Sequence, residues 1–132
     1  MSFEFNRNLQ DKNYTSTVAI ANAGANTAAF DLEQAVGGDI EKFVFSLSAP
    51  TASGISDTKV VTYALQDSAD GTTFAAVDPA ISTTQTATAS GIVAKEVRFR
   101  VPANTRRYVR IAQTMTASAG TVTGSMVAKL LF

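Results

Sequence analysis

The chain has 132 residues, enough for one domain with a core of its own. It contains no cysteine and no histidine, which excludes disulfides, thiolate metal sites and any Ser-His-Asp or Cys-His triad. Net charge is zero with 17% charged residues, but the charge is segregated: four bases against ten acids before Pro79 (net −6), and seven bases against one acid from Pro79 onward (net +6).

Residues 1–14 scatter Phe3, Phe5, Leu9 and Tyr14 among polar residues and form no clean element. They read as an N-terminal arm, packed on a neighbour or serving as a first edge strand. Thr15 to Ala21 alternates and reads as a strand, and Asn22 to Asn26, with Gly24, as a turn. Ala28 to Leu32 is a short strand with Phe30 and Leu32 in phase. Gly37-Gly38-Asp39 breaks the chain, and no helix follows it to make a phosphate cradle. Ile40 to Ser48 is a strong strand whose Phe43, Phe45 and Leu47 face one way. After the small-residue loop Pro50 to Asp57, Lys59 to Asp67 places Val61, Tyr63 and Leu65 on one face. Asp70-Gly71 is a turn signal. Phe74 to Val77 is short and ends at Asp78-Pro79, and Ile81 to Ser90 is a Thr/Ala strand with a weak core face.

Residues 95–113 are the most informative stretch. Val97, Phe99 and Val101 alternate with Arg98 and Arg100; Val109, Ile111 and Gln113 alternate with Tyr108, Arg110 and Ala112. Pro102 to Thr105 supplies turn chemistry between them. From Thr121 to Phe132 the residues Val122, Gly124, Met126, Ala128, Leu130 and Phe132 share a face. The period is two throughout. Eight or nine strands at this spacing, with no convincing helix, argue for an all-β, antiparallel β-sandwich or barrel, with the arm at 1–14 and one sandwich domain over 15–132.

The segregated charge has two readings. Either the halves interleave in one sandwich and neutralise each other locally, or acidic and basic surfaces meet between subunits or on a partner. The low charge also suits a surface that desolvates cheaply, since interfaces are depleted in Lys and Glu. No stretch has the length of a membrane span and the N-terminus lacks a signal-peptide pattern, so the expectation is a chain made in a cytoplasm, with no membrane partner.

Three motifs invite functional readings. Asp67-Ser68-Ala69-Asp70-Gly71 has too few spaced oxygens for a calcium loop and reads as a turn with Gly71 at positive φ. Direct antiparallel pairing of 97–101 with 107–111 would set Val97 against Ile111 and Phe99 against Val109. It would also oppose Arg98 to Arg110 and Arg100 to Tyr108, which calls for anions beside the cluster and for Arg100 stacking on Tyr108. Carboxylates, within or between subunits, fit better than nucleic acid, because the isoelectric point is near 6.2 and the aromatics sit mostly on apolar faces. Phe3, Phe5, Arg98, Arg100, Tyr108 and Arg110 are therefore the candidate partner-binding residues. No catalytic residue, metal ligand or cofactor site is indicated, and the reading is of a protein that is not an enzyme.

The run Tyr63 to Phe74 (YALQDSADGTTF), with Val97-Arg98-Phe99-Arg100-Val101-Pro102, Arg107-Tyr108-Val109-Arg110-Ile111 and the closing Gly120 to Ala128 (GTVTGSMVA), resembles the small jelly-roll cement (decoration) proteins of tailed-bacteriophage capsids. The likeness covers roughly residues 58–132. It implies a jelly-roll sandwich and a virion structural protein that binds the major capsid protein on the outer surface of an assembled head. It also implies self-association as a homodimer or homotrimer, and it brings no catalytic or metal residues. The alternative function from another class is a carbohydrate-binding β-sandwich module, although the chain has no Trp and only three tyrosines to offer as platforms.

Overall fold

The computed structural model describes residues 10–33, 43–116 and 121–131. Ten strands form in chain order: β1 (Gln10–Ala19), β2 (Ala25–Asn26), β3 (Phe30–Asp31), β4 (Val44–Ala49), β5 (Val60–Ser68), β6 (Ala75–Ala76), β7 (Ser82–Thr86), β8 (Lys95–Arg100), β9 (Tyr108–Met115) and β10 (Ser125–Leu131). One sheet has the order β1-β10-β4-β8. The other has β2-β9-β5-β6, with β3 also on β9 and β7 also on β5. Described pairings between the named strands are antiparallel.

Taken as interrupted strands, β2/β3 and β6/β7 leave four positions in each sheet. Among the described strands, only the step from β5 to β6/β7 stays within its sheet; every other step leads to the opposite one. This is a β-sandwich with the strand order of a jelly roll. β1 begins at Gln10, within the segment read as an arm or a first edge strand. Phe3 and Phe5 lie outside the described residues.

Alternation decides what each sheet buries, since successive side chains point to opposite faces. Phe45, Leu47, Met126, Ala128 and Leu130 face inward from the first sheet. Phe30, Val61, Tyr63, Leu65, Val109 and Ile111 face inward from the second, and all of these are buried. Phe45 is the hinge of this packing. Its ring stacks on Phe99 of the adjacent strand at 5.8 Å and meets Phe30 of the opposite sheet at 5.5 Å. Burying a side chain of this size contributes about 1.5–3 kcal/mol, so the aromatic trio is a main tie between the layers.

Two buried glutamines are satisfied in the interior, whereas the buried Thr105 hydroxyl of the segment between β8 and β9 has no hydrogen-bond partner among the described residues. Gln113 accepts from the Ala21 amide and donates to its carbonyl, which closes the turn after β1 onto β9. Gln85 accepts from the Tyr63 hydroxyl at 2.7 Å and donates to the Pro50 and Val93 carbonyls. Burial pushes the Tyr63 phenol well above its ordinary range, so it stays a donor.

The expected direct pairing of 97–101 with 107–111 does not occur. β8 pairs with β4, Phe99 against Phe45, while β9 pairs with β5, Ile111 against Leu65. The segment between them is an arch from one sheet to the other. Its physical cause is visible at both ends. Val101 is buried and donates to the Phe43 carbonyl, which holds the outgoing end on the first sheet. Asp67 then receives both the backbone amide of Arg106 and its guanidinium, at 2.9 and 2.7 Å, and so pins the incoming end to the second sheet.

Candidate interaction surface

Because β8 and β9 belong to different sheets, the predicted arginine cluster is divided. Arg98 and Arg100 lie on the outer face of the first sheet, Tyr108 and Arg110 on that of the second. The opposition of Arg98 to Arg110 and the stacking of Arg100 on Tyr108 are both absent. Arg98 instead pairs across β4 with Ser46, Arg100 with Val44, Arg110 with Gln66 and Tyr108 with Ser68.

On the first sheet the outward residues form cross-strand rows. One row reads Arg98, Ser46, Lys129, Thr15; the next reads Glu96, Ser48, Val127, Thr17. Arg98 and Lys129 stand two strand spacings apart, about 10 Å, flanking a serine. Arg98 also meets Glu96 of its own strand at 3.6 Å, with side chains 52% and 58% exposed. So exposed a pair contributes little to stability, about 0–1 kcal/mol. The rest of this face is small and mostly hydroxylic, with Thr15, Thr17, Ala19 and Ser125 exposed.

On the second sheet Arg110 donates to Gln66 at 2.9 Å and lies over the Phe74 ring at 4.0 Å. Tyr108 receives the Arg107 guanidinium over its ring at 5.3 Å. Arg107 in turn holds Asp31 through two hydrogen bonds of 2.7 and 2.8 Å. That pairing keeps the Asp31 carboxyl below the usual carboxylate range and raises the guanidinium further.

Carboxylates are expected from the sequence beside Arg98, Arg100 and Arg110; the two described pairs that join distant parts of the chain lie instead at Arg106 and Arg107, which take Asp67 and Asp31. Both pairs join the acidic half of the chain to the basic half, so at these sites the halves neutralise each other within one sandwich. Sequence reasoning did not single out Arg106, Arg107, Gln66, Phe74 or Lys129. One signal was present. Asp67 is in phase with Val61, Tyr63 and Leu65, and a core-facing carboxylate requires a charged or hydrogen-bonding partner.

The Asp67 to Gly71 run is a turn. The Ser68 hydroxyl accepts from the Asp70 and Gly71 amides and donates to Asp70, whose Oδ1 accepts from the Thr72 and Thr73 amides at 2.9 Å. The Thr73 and Thr72 amides and the Ser68 hydroxyl hold the exposed Asp70 carboxyl far below its ordinary range. Among the described residues no cluster of acids is arranged to hold a metal.

No family model matches the chain, and no curated protein matches it. Among solved structures it is similar to one described as "CBM4 structure and function", at 15% identity and a TM-score of 0.41, over 86% of this chain. The chain spans 65%, just under two thirds, of that structure's length. It is also similar to a "Family 16 Carbohydrate Binding Module-2", at 8% identity and a TM-score of 0.32, over 88% of this chain and 72% of the other.

Proposed function

We propose that this chain is a cement (decoration) protein of a tailed-bacteriophage head. It would be made in the host cytoplasm and would bind the major capsid protein on the outer surface of the assembled shell. The observation that carries this reading is the construction of the sandwich's outer faces. On the first sheet the outward rows are small and mostly hydroxylic, with Thr15, Thr17 and Ser48, and they carry the cations Arg98 and Lys129. Such a face loses little on desolvation and offers fixed charge for register. The jelly-roll strand order and the resemblance of residues 58–132 support the same reading.

The role needs no chemistry. A protein that binds the assembled shell in preference to its free subunits stabilises the shell by mass action, and an oligomer that touches several subunits gains by avidity. The test is addition of purified protein to DNA-filled heads that lack it. Saturable binding and a higher temperature of DNA release are expected. Equal binding to unassembled capsid protein, or no shift in release temperature, would refute the reading.

A second reading, a carbohydrate-binding module, draws on one observation: Phe74, Gln66 and Arg110 converge on the outer face of the second sheet, with Tyr108 two residues from Arg110 on β9. The Arg110 guanidinium already occupies one face of the Phe74 ring, so a sugar would have to displace it to stack there. Selective binding on a glycan array would favour this reading over the first.

A further inference from the structure

Arg110 is held differently from the two arginines that precede β9. Arg106 and Arg107 take carboxylates, Asp67 and Asp31. Among the described residues, Arg110 is held by neutral groups. Its Nε donates to the Gln66 side-chain oxygen at 2.9 Å, and its guanidinium carbon lies 4.0 Å from the centre of the Phe74 ring. Amide and ring together fix the guanidinium in place without neutralising it. Acids on this side of the sandwich are engaged elsewhere. Asp67 faces the core with Arg106, and Asp31 holds Arg107. Asp70, in the turn that leads to Phe74, accepts from the Thr72 and Thr73 amides.

We infer that Arg110 is a preorganised receptor for a carboxylate, and that its ligand is an acidic segment of a partner protein lying on the outer face of the second sheet. A guanidinium carries five N–H donors. With Nε on Gln66, the two Nη groups remain to clasp both oxygens of one carboxylate. Stacking on Phe74 already restricts the side chain, so little rotamer freedom is lost on binding. The same outer face is low beside this point. The next outward pair along β5 and β9 is Ala64 with Ala112, followed by Thr62 with Thr114. Short side chains there let a second backbone approach the sheet.

A protein ligand suits this patch better than a sugar, because its rings are engaged. Phe74 carries Arg110. Tyr108 lies under Arg107 and so near Gly71 that a Cβ there would touch the ring at 3.6 Å. The choice of a protein partner rests on the capsid reading only for where the acidic segment comes from. The site is tested without heads, so either reading can fail alone.

The experiment is fluorescence anisotropy of labelled poly-L-glutamate with the full chain at pH 7 and low ionic strength. Wild type is compared with Arg110→Gln, Arg110→Lys and Arg100→Gln, and far-UV circular dichroism confirms folding. Saturable binding by wild type is expected. Arg110→Gln should weaken it roughly tenfold or more, as loss of a charge-assisted pair requires. Arg110→Lys keeps the charge but not the fork, and should lose most of the same affinity. Arg100→Gln removes an exposed arginine from the other sheet and should bind within about twofold of wild type. Polygalacturonate, which presents the same carboxylates on a sugar chain, should bind at least tenfold more weakly. A wild type that does not bind, or an Arg110→Gln or Arg110→Lys variant that binds like wild type, would overturn the proposal. So would an Arg100→Gln variant as weak as Arg110→Gln, which would mean diffuse charge attraction. Polygalacturonate binding as tightly as polyglutamate would overturn the protein ligand in favour of an acidic sugar.

Discussion

At the scale of single residues, Asp67 organises the most. Its side chain is only 7% exposed, and it sits at a core-facing position of β5. It serves two partners on the arch, the Arg106 amide and the Arg106 guanidinium, and its backbone carbonyl accepts from the same guanidinium at 3.1 Å. The Arg106 guanidinium is held charged more firmly by the Asp67 hydrogen bond. Truncation to alanine leaves the amide without its acceptor and the cation without its counter-charge. Asp67→Ala should therefore cost about 2–3 kcal/mol, measured as a fall in the urea midpoint at neutral pH. Asp67→Asn keeps an oxygen for the amide and should cost clearly less. Equal losses for the two variants would mean that charge, and not the acceptor, holds the arch.

At the scale of elements, what was legible was the facing of residues. What was not legible was the partner. Val61, Tyr63, Leu65, Val109, Ile111, Met126, Ala128 and Leu130 all sit on the inward faces that the alternation of two assigns to them. Alternation is a property of one strand, however, and Val97 with Phe99 presents the same apolar row whether it faces β9 in a hairpin or β4 across an arch. The deciding contacts are long-range: Asp67 with Arg106, and Val101 with the Phe43 carbonyl. The candidate site suffered most, because its cluster assumed the hairpin.

Loop glycines make a second case. Gly91 has φ +98, and a Cβ there would collide with the Ala52 carbonyl oxygen. That same carbonyl accepts from the Ile92 amide in the bridge that closes this end of the sandwich. Gly71 has φ +79, but a Cβ there would meet only the Tyr108 ring at an ordinary 3.6 Å. Gly91→Ala combines backbone strain with a clash against backbone and should cost about 3 kcal/mol, lowering Tm by roughly 10 °C. Gly71→Ala carries the strain alone and should cost about 1 kcal/mol. Thermal unfolding followed by circular dichroism ranks the two, and the reverse order would contradict the close approach at Ala52.

At the scale of the molecule, the jelly-roll order interleaves the chain's acidic and basic parts. β3 and β5 carry Asp31 and Asp67, and both lie beside β9, which follows Arg106 and Arg107 directly. Neutrality is therefore built from contacts that cross the whole chain, and it depends on ionised carboxylates. Acid removes one side of the balance: with the acids protonated, the eleven Lys and Arg residues remain and repel one another. The linkage has a definite sign. Asp31 and Asp70 have folded-state pKa values below the ordinary aspartate value of about 3.9, so the unfolded chain binds their protons first as pH falls. Their stabilisation is complete above that value and is lost as pH drops through it toward the folded-state values. The urea midpoint should be nearly flat from pH 7 to 5 and fall steeply between pH 4 and pH 2.5, a range given by about the ordinary aspartate value and below. Asp70→Asn keeps an oxygen for the Thr72 and Thr73 amides but no longer titrates, so its acid slope should be shallower than that of wild type. Asp31→Asn should reduce the slope as well, while also weakening the tie to Arg107. If both variants lose stability with acid as steeply as wild type, the turn and the cross-chain pair are not what couples folding to protonation, and repulsion among the bases alone carries the effect.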